Sequence, residues 1–559
     1  MKKYILITLL AAVSTSCNFL YHDEATGMTQ ENAYSYFDNL ESLVVGVYDG
    51  ISSHYSVMDG AMRESATDNS MYAWQSNEIY NIYEDVWSAL NTLDEKWEDN
   101  YEYIRRASSF LELYDPALIE RFEWDSNYAD DLAQIEMSIN EVHVLRAYFH
   151  FELAKRYGDI PLITRVYEAS EINEVEKTPF ADVIDYIVET MEEYGELLPA
   201  NYTTFVGAQT GRVTLGMARA LKARALLYKA SPLFNTSDDN EIWGDAARAA
   251  NTIIQSGTYY MPAIANDFLY SSSGADVVLS SPQLIFECRG GSSNSFEARN
   301  MPYGMEGALG GNTPSQNFVD AFEFLDGTTF DWNNPEHIAT MYTDADGNNT
   351  RDPRMYINVV TNGSEFMSQT VETFTGGLHN LSTDGYTKTG YYLRKLMNET
   401  VSLDPTNSVS KNHHYPLFRY AEVLLNYAEA LYEYKGDYSY TDSEFTTSPL
   451  SAVNVVRTAA GMPAMTPSSN DDFVERLRNE RRVELAFENH RFWDIRRWMI
   501  GDVVTDIYGV TITLESDGSY SYEKSLVQTR IWKDKMYLYP IPDSELYVNP
   551  NLAPQNPSW

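Results

Sequence analysis

Four segments of the chain carry the same amphipathic helical pattern, and this pattern constrains the fold more than any other feature. In residues 140–163, NEVHVLRAYFHFELAKRYGDIPLI, the side chains of Val142, Leu145 and Phe149 fall on one stripe. Gly158, followed by a proline, ends the run. Three further segments repeat the design with alanine on the packing face: residues 211–234, 243–261 and 418–437. Small residues let antiparallel helices approach closely, so we expect a mainly α fold of tetratricopeptide-like helical pairs forming a superhelical frame, without a strict 34-residue period.

Between these helices the composition changes. Residues 266–412 are rich in Gly, Ser, Asn, Thr and Pro, with short β-like runs such as MYINVV and TGYYLRKL. We expect a large loop-rich insertion held by a helical frame at 41–265 and 415–500, with a loop-rich C-terminal tail at 501–559. Residues 41–559 would then form a single domain.

The N-terminus predicts export. Residues 1–16 begin with two lysines, continue with a short apolar run and end in small residues before Cys17. This is the pattern of a bacterial signal peptide and is too short to span a membrane. Only one other cysteine, Cys288, is present, so a disulfide framework is excluded and Cys17 is predicted to carry a lipid. Residues 17–40 would be the anchor and leader, and ordinary secretion with Cys17 unused is the alternative.

The charge balance excludes one class of partner. Acidic residues outnumber basic ones 81 to 40, which gives a formal net charge of −41. Such a field repels nucleic acid, which is therefore not an expected partner. The most basic stretch is residues 478–498, RNERRVELAFENHRFWDIRRW, where arginines alternate with carboxylates at helical spacing. We therefore expect this segment to be an internal clamp rather than a nucleic-acid surface.

About ten motifs, in order along nearly the whole chain, resemble one family. They include RESATD (63–68), LRAYFHFELAKRYGDIPLI (145–163), NTPSQNFVDAFEFLDG (312–327), RDPR (351–354), NERRVELAFENHRFWDIRRW (479–498) and YPIPDSELYVNPNLAPQNPSW (539–559). The chain resembles the SusD/RagB-type outer-membrane nutrient-binding lipoproteins of Bacteroidetes. Asn489 departs from the pattern, since glycine is expected there, and this difference concerns the local backbone.

The resemblance implies a SusD-like fold on the extracellular face of the outer membrane, anchored through its lipid. It further implies that the protein captures an oligo- or polysaccharide and delivers it to a SusC-like TonB-dependent transporter, with no enzymatic activity and no cofactor. Three alternatives stay open. One is an oligopeptide-binding member of the same family, and another is a surface glycoside hydrolase, since a catalytic carboxylate pair is defined only by its separation in space. The third is a protein-interaction scaffold built on the helical repeats.

Sugar recognition needs flat apolar rings and nearby polar groups for the hydroxyls. In the family's starch-binding relative, a Trp and an Asn three residues later contribute to an aromatic arc. AWQSN supplies Trp74 and Asn77 at this spacing. Arg63 is a further candidate for a hydroxyl contact, although pairing with Glu64 or Asp68 is the simpler interpretation.

The rest of the arc is expected in the insertion. Tyr303 in MPYGMEG and Trp332 in FDWNNP lie where the relative's remaining arc aromatics occur, with Phe296 as a substitute. Trp87 and Trp97 stand at helical spacing and are predicted to be packing residues.

Metal and nucleophile signatures are weak. DADGNNTRD (344–352) alternates oxygen ligands in the manner of a calcium loop, but its glycine is misplaced for an EF-hand and no glutamate closes it. A polar turn is the alternative. The chain has no HExxH, GxSxG, P-loop or dinucleotide fingerprint, so we expect no catalytic residues and no metal site.

Overall fold

A computed structural model describes residues 33–168, 170–203, 209–267, 269, 276–381 and 383–559. The signal peptide and Cys17 lie outside these residues. Within them, no helix is both long and apolar enough to cross a bilayer.

The long helices lie early and late in the chain. They are α1 (Phe37–Tyr48), α3 (Trp97–Leu113), α4 (Tyr128–Tyr157), α5 (Phe180–Glu193), α6 (Leu215–Ala230), α7 (Asn240–Ser256), α12 (Tyr420–Lys435), α13 (Pro449–Ala459) and α14 (Asn470–Glu484). Short helices connect them: α2 (Tyr80–Tyr83), α8 (Ser295–Asn300), α9 (Gln316–Asp320), α10 (Pro335–Ala339), α11 (Pro353–Asn358), α15 (Arg491–Arg497) and α16 (Asp543–Val548). The prediction of a mainly α fold is confirmed.

The helix ends follow from local chemistry. The α7 and α12 helices stop at Gly257 and Gly436, whose left-handed backbones (φ 61° and 68°) are ones that glycine adopts without strain. The Thr214 hydroxyl accepts a hydrogen bond from a backbone N–H at the start of α6, and Ser469 does the same for α14. These short-range signals are visible in the sequence, which explains why the helices could be located from it.

Successive helices pack against each other in pairs. Contacts join α3 to α4, α4 to α5, α5 to α6, α6 to α7, α7 to α12 and α12 to α13. Alanines fill the close approaches: Ala246, Ala247 and Ala250 of α7 are buried, as are Ala421 and Ala428 of α12. This is the arrangement expected of tetratricopeptide-like pairs.

The strands form two-stranded ladders only, within the described residues. They are β1 (Ser70–Tyr72) with β3 (Asn312–Pro314), β2 (Leu284–Ser293) with β8 (Lys411–Arg419), β4 (Val359–Val360) with β7 (Tyr392–Leu393), β5 (Glu365–Phe366) with β6 (Gln369–Thr370), and β9 (Asp506–Leu514) with β10 (Tyr520–Thr529). All pairs are antiparallel. The runs MYINVV and TGYYLRKL meet in the β4–β7 pair, although most of the first run is helical.

Two sequence expectations need correction. Helical structure resumes at Tyr420 rather than Tyr415, because residues 411–419 are extended and pair with β2. The tail at 501–559, expected to be irregular, contains the β9–β10 hairpin. In both cases a pairing between distant segments, which a local pattern does not reveal, decides the backbone conformation.

The basic segment 478–498 is buried in the frame. Arg481 donates to Asp494 on α15 (2.8 Å), and Arg497 donates to the same carboxylate (2.8 Å) and to Glu429 on α12 (2.7 Å). The clamp expected from the sequence is therefore present. Its pairing differs from the helical i, i+4 scheme, because Glu480 and Glu484 are held by arginines of other elements: Arg354, Arg419 and Arg457.

Asn489 lies in this segment with a φ of 64°. Asparagine tolerates this left-handed conformation better than most non-glycine residues, which accounts for its presence where glycine was expected. Its side-chain oxygen also accepts a hydrogen bond from Arg63 at 3.1 Å.

Candidate ligand-binding site

Three aromatic rings from distant parts of the chain meet at the surface. The Trp74 and Tyr303 ring centroids are 5.9 Å apart at 76°, and those of Tyr303 and Tyr386 are 4.5 Å apart at 75°. Trp74 and Tyr303 are half-buried, whereas Tyr386 is buried beside them. We call these three residues the aromatic platform. The Trp74 indole donates to the carbonyl of Leu309 at 2.7 Å, which fixes the ring orientation.

Gly385 lets the rings approach. Its φ is 89°, and a Cβ there would lie 2.7 Å from Trp74 Cζ2 and 2.9 Å from Tyr303. Only glycine satisfies both the backbone and the contact. The segment before it is held by His379, whose pKa burial lowers, so that its neutral Nδ1 accepts the Glu372 N–H at 3.1 Å.

An open cleft of about 630 Å³ adjoins the platform. It lies between residues 71–80, the 375–390 loop and the β9–β10 hairpin, and it contains Gln75 and Thr387, the chain neighbours of Trp74 and Tyr386. The lining side chains are mostly polar: Gln75, Tyr80, Thr375, Asn380, Thr387, Lys388, Thr511 and Gln528. Amides and hydroxyls of this kind both donate and accept hydrogen bonds, as a polyhydroxylated ligand requires.

The platform and the cleft together form an amphipathic surface. Leu378 and Leu381, on the loop that leads to Tyr386, are 56% and 46% exposed and extend the apolar side. Tyr80 contributes its ring to the cleft while its hydroxyl donates to the Tyr72 carbonyl at 2.9 Å. The arrangement can hold a ligand that has apolar faces and many hydroxyl groups.

Trp74 and Tyr303, predicted from the sequence, lie together, but Asn77 does not join them. Its amide is buried, donates to the carbonyls of Met58 (3.1 Å) and Asp59 (3.0 Å), and accepts the N–H of Ile79 (3.0 Å). Both ends of the side chain are thus committed to the backbone. The prediction of a ligand contact at Asn77 is corrected: it shapes the turn that presents Trp74.

Arg63 also requires correction. It is 2% exposed and forms a bidentate pair with Asp94, with N–O distances of 2.5 and 2.6 Å. The partner is therefore neither Glu64 nor Asp68, and the guanidinium belongs to the interior of the frame.

Trp332 is not among the residues that line the cleft. Its ring packs on Phe330 (5.3 Å), and its indole donates to Asp320 at 3.0 Å. Phe296, the substitute considered for the arc, is buried and packs on Tyr55 with ring centroids 4.6 Å apart.

The remaining expectations concern packing and metals. Trp87 and Trp97 are buried, as predicted for packing residues. In the 344–352 loop, Asp344 accepts the N–H groups of Asp346 and Asn348, both at 2.9 Å, which is the geometry of a polar turn. Among the described residues, no group of three His, Cys, Asp or Glu side chains could hold a metal ion.

Sequence reasoning missed Tyr386 and the polar groups of the 375–390 loop. The stretch TGGLHNLSTDGYTKTG carries a signal, namely a tyrosine directly after a glycine in a run without helical or strand periodicity. Nothing local indicates that this loop folds against residue 74.

Two family models match the chain. One, described as the SusD family, matches residues 284–559, and the other, described as starch-binding and associating with the outer membrane, matches residues 19–229. The chain is a SusD/RagB-type protein. A curated relative, SusD-like protein P2 of Formosa agariphila, is 27% identical to this chain over 451 residues. The match covers 77% of this chain and 75% of that protein.

Solved structures of other SusD-like proteins show the same fold. A SusD-like protein from Bacteroides fragilis superposes with a TM-score of 0.76 at 28% identity, over 94% of this chain and 98% of the other. A second protein from the same species, titled a SusD-like carbohydrate binding protein, gives a TM-score of 0.74 at 24% identity, over 93% and 100% of the two chains. The SusD-like fold implied by the sequence motifs is confirmed.

Proposed function

We propose that this SusD/RagB-type protein binds an oligo- or polysaccharide on the aromatic platform and in the adjoining cleft, without catalysing its cleavage. The observation that carries the proposal is the contact of Trp74, Tyr303 and Tyr386 at the edge of a cleft lined by amides and hydroxyls. Aromatic rings stack on the C–H faces of sugars, and the polar groups bond their hydroxyls. The second of the two Bacteroides fragilis relatives is titled a carbohydrate binding protein, which supports the same ligand class.

The test is a binding panel of polysaccharides and oligopeptides, measured by affinity electrophoresis and calorimetry. For a glycan that binds, Trp74→Ala should weaken affinity about tenfold or more, because a half-buried ring of the platform is lost. Trp124→Ala is the matched control, since Trp124 is 88% exposed and is not among the residues that line the cleft. Circular dichroism and thermal unfolding verify that both variants fold.

Trp332→Ala tests the residue of the predicted arc that does not line the cleft. Binding that survives loss of Trp74 but not of Trp332 would move the ligand site to the region of Asp320. Binding of peptides alone, or release of sugar from a polysaccharide, would contradict the proposal.

We further propose that the protein is anchored in the outer membrane through Cys17 and delivers the glycan to a SusC-like TonB-dependent transporter. The family description, which names association with the outer membrane, supports this location. Cys17→Ala should abolish partition into the membrane fraction, whereas Cys288→Ala, at the second of the two cysteines, should not. Cross-linking in intact outer membranes tests for the transporter, and recovery of no β-barrel partner would contradict the delivery step.

A further inference from the structure

The cleft beside the platform differs in charge from the rest of the molecule. The chain carries 81 acidic residues and a net charge of −41, yet no Asp or Glu is among the described residues that line this cleft. The one charged residue in that lining is Lys388. A cleft with low-dielectric walls focuses the field of its own charges, so its local potential can oppose that of the whole protein.

The Lys388 ammonium is not neutralised by a carboxylate. Among the described residues it forms no ion pair, and Nζ lies 3.5 Å from the Thr383 carbonyl oxygen, at the limit of hydrogen-bond distance. Other lysines near the hairpin are paired: Lys524, for example, lies 2.8 Å from Asp320. Lys388 therefore retains donors for a ligand.

A second cation lies beneath the cleft. Arg530 is 4% exposed, and its guanidinium is held by neutral acceptors, the carbonyls of Thr67 (2.8 Å) and Ser70 (3.0 Å) and the side chain of Gln528 (2.7 Å). Among the described residues, no carboxylate accepts a hydrogen bond from this guanidinium, whose donors are all directed at neutral oxygens. It also packs over the Tyr83 ring at 4.0 Å.

Arg530 also orients a group of the cleft. A guanidinium only donates, so the Gln528 atom that it contacts is the side-chain oxygen. The amide nitrogen of Gln528, a cleft residue, is then left to donate to a ligand. The cleft thus presents an ammonium and an amide N–H₂ above a buried positive charge.

Three carboxylates interact with Arg530 or Tyr80 without lining the cleft. Asp68, which interacts with Arg530, is bound by Arg491 and Arg482, each at 2.9 Å. Asp384 and Glu84 act on the Tyr80 hydroxyl from outside the lining.

We propose that the cleft selects an anionic glycan, with Lys388 and the Gln528 amide binding a uronate carboxylate or sulfate ester while a sugar face stacks on the platform. The inference rests on the proposed function and narrows its ligand class. Carboxylate and sulfate share the chemistry that an ammonium and an amide donor recognise.

The probes are matched pairs of polysaccharides. Polygalacturonate is compared with its methyl ester and with alginate for the uronate arm, and chondroitin sulfate with its desulfated form for the sulfate arm. Laminarin and starch are the neutral references. Binding is measured by calorimetry at 50 and 500 mM NaCl. We expect an acidic probe to bind, its neutralised partner to bind at least tenfold more weakly, and added salt to weaken only the acidic complex.

Lys388→Gln removes the charge and keeps a flexible, polar side chain. It should weaken the acidic probe about five- to tenfold, whereas Lys388→Arg should restore most of the affinity. Lys524→Gln is the control: Lys524 lies on the β9–β10 hairpin and is paired with Asp320, so this change should leave affinity unchanged.

The outcomes separate the two proposals. Trp74-dependent binding of a neutral glycan, unaffected by Lys388→Gln and by salt, would overturn this inference and keep the proposed function. Binding of polyglutamate but of no acidic glycan would also overturn it. Failure of every glycan to bind would overturn the proposed function itself.

Discussion

At Gly385 the backbone has a φ of 89°, and hydrogen in place of a side chain leaves room for Trp74 and Tyr303. The ring positions therefore depend on a residue that offers the ligand no functional group. The absence of a side chain at residue 385 therefore sets the geometry of the platform, although Gly385 itself need not touch the ligand.

Gly385→Ala should displace the rings and lower glycan affinity at least tenfold, with a stability loss of about 1–3 kcal/mol from strain and overlap. Gly363→Ala is the matched control, since Gly363 has a φ of 79° but no atom within 4 Å of the added Cβ. It should cost about 1 kcal/mol and leave affinity intact. Calorimetry and urea unfolding measure the two effects, and equal affinity losses in both variants would refute the steric explanation.

At the scale of elements, α14 and α15 are joined to the frame by charge pairs as well as by apolar packing. Arg419 of β8 donates to Glu484 and Glu488, both at 2.6 Å, and Arg497 of α15 connects to α12 through Glu429. All these side chains are at least nine-tenths buried. Breaking one buried pair leaves a charge without a partner in a low-dielectric interior, which is costly.

Arg497→Ala should therefore lower the free energy of unfolding by about 3–5 kcal/mol. Arg248→Ala should cost less than about 1 kcal/mol, because Arg248 pairs with Glu444 and Asp245 while 39% exposed. Urea denaturation of the two variants measures the difference. A similar, small loss in both would show that the clamp marks the family without stabilising the fold.

The elements also show which parts of the fold a sequence can predict. Helices such as α7 and α12 are encoded locally, by a 3.6-residue period and a glycine stop, and were predicted. The β8 strand was taken for the start of a helix because its extended form depends on β2, more than a hundred residues earlier. The candidate site divides in the same way: Trp74 and Tyr303 were found by motif, whereas Tyr386 meets Tyr303, and Lys388 meets Gln75, only through long-range packing.

At the scale of the whole molecule, the buried carboxylates determine the response to acid. Burial alone would raise the pKa of Glu484, but Arg419 and Arg354 overcome this and hold it at about 2. The pKa of Glu429 is likewise about 2 because Arg497 outweighs burial, and that of Asp68 is about 2 because Arg482 and Arg491 do. Each group is more acidic folded than unfolded, so it stabilises the fold above its unfolded pKa and loses this contribution as pH falls.

We expect stability to fall steeply between about pH 4.5 and 2, by on the order of 2–3 kcal/mol per clamp carboxylate. Above pH 5, the net charge of −41 adds repulsion, which salt screens. Denaturant unfolding across pH, at low and high salt, separates the two effects, since added salt should stabilise the protein above pH 5 and leave the acid loss in place. A profile that stays level to pH 3 would contradict this account.

The β2–β8 ladder has a consequence for how proteins of this architecture can diverge. Strand β2 ends at Ser293 and strand β8 begins at Lys411, and these two residues face each other as register partners. The stretch between them, which supplies Tyr303, Tyr386 and Lys388, therefore begins and ends at the same end of the β2–β8 ladder. The length and side chains of that stretch can change during evolution, while the spacing of the two paired residues and the packing of the helices stay the same. New ligand preferences can arise in this way while the helical frame folds as before.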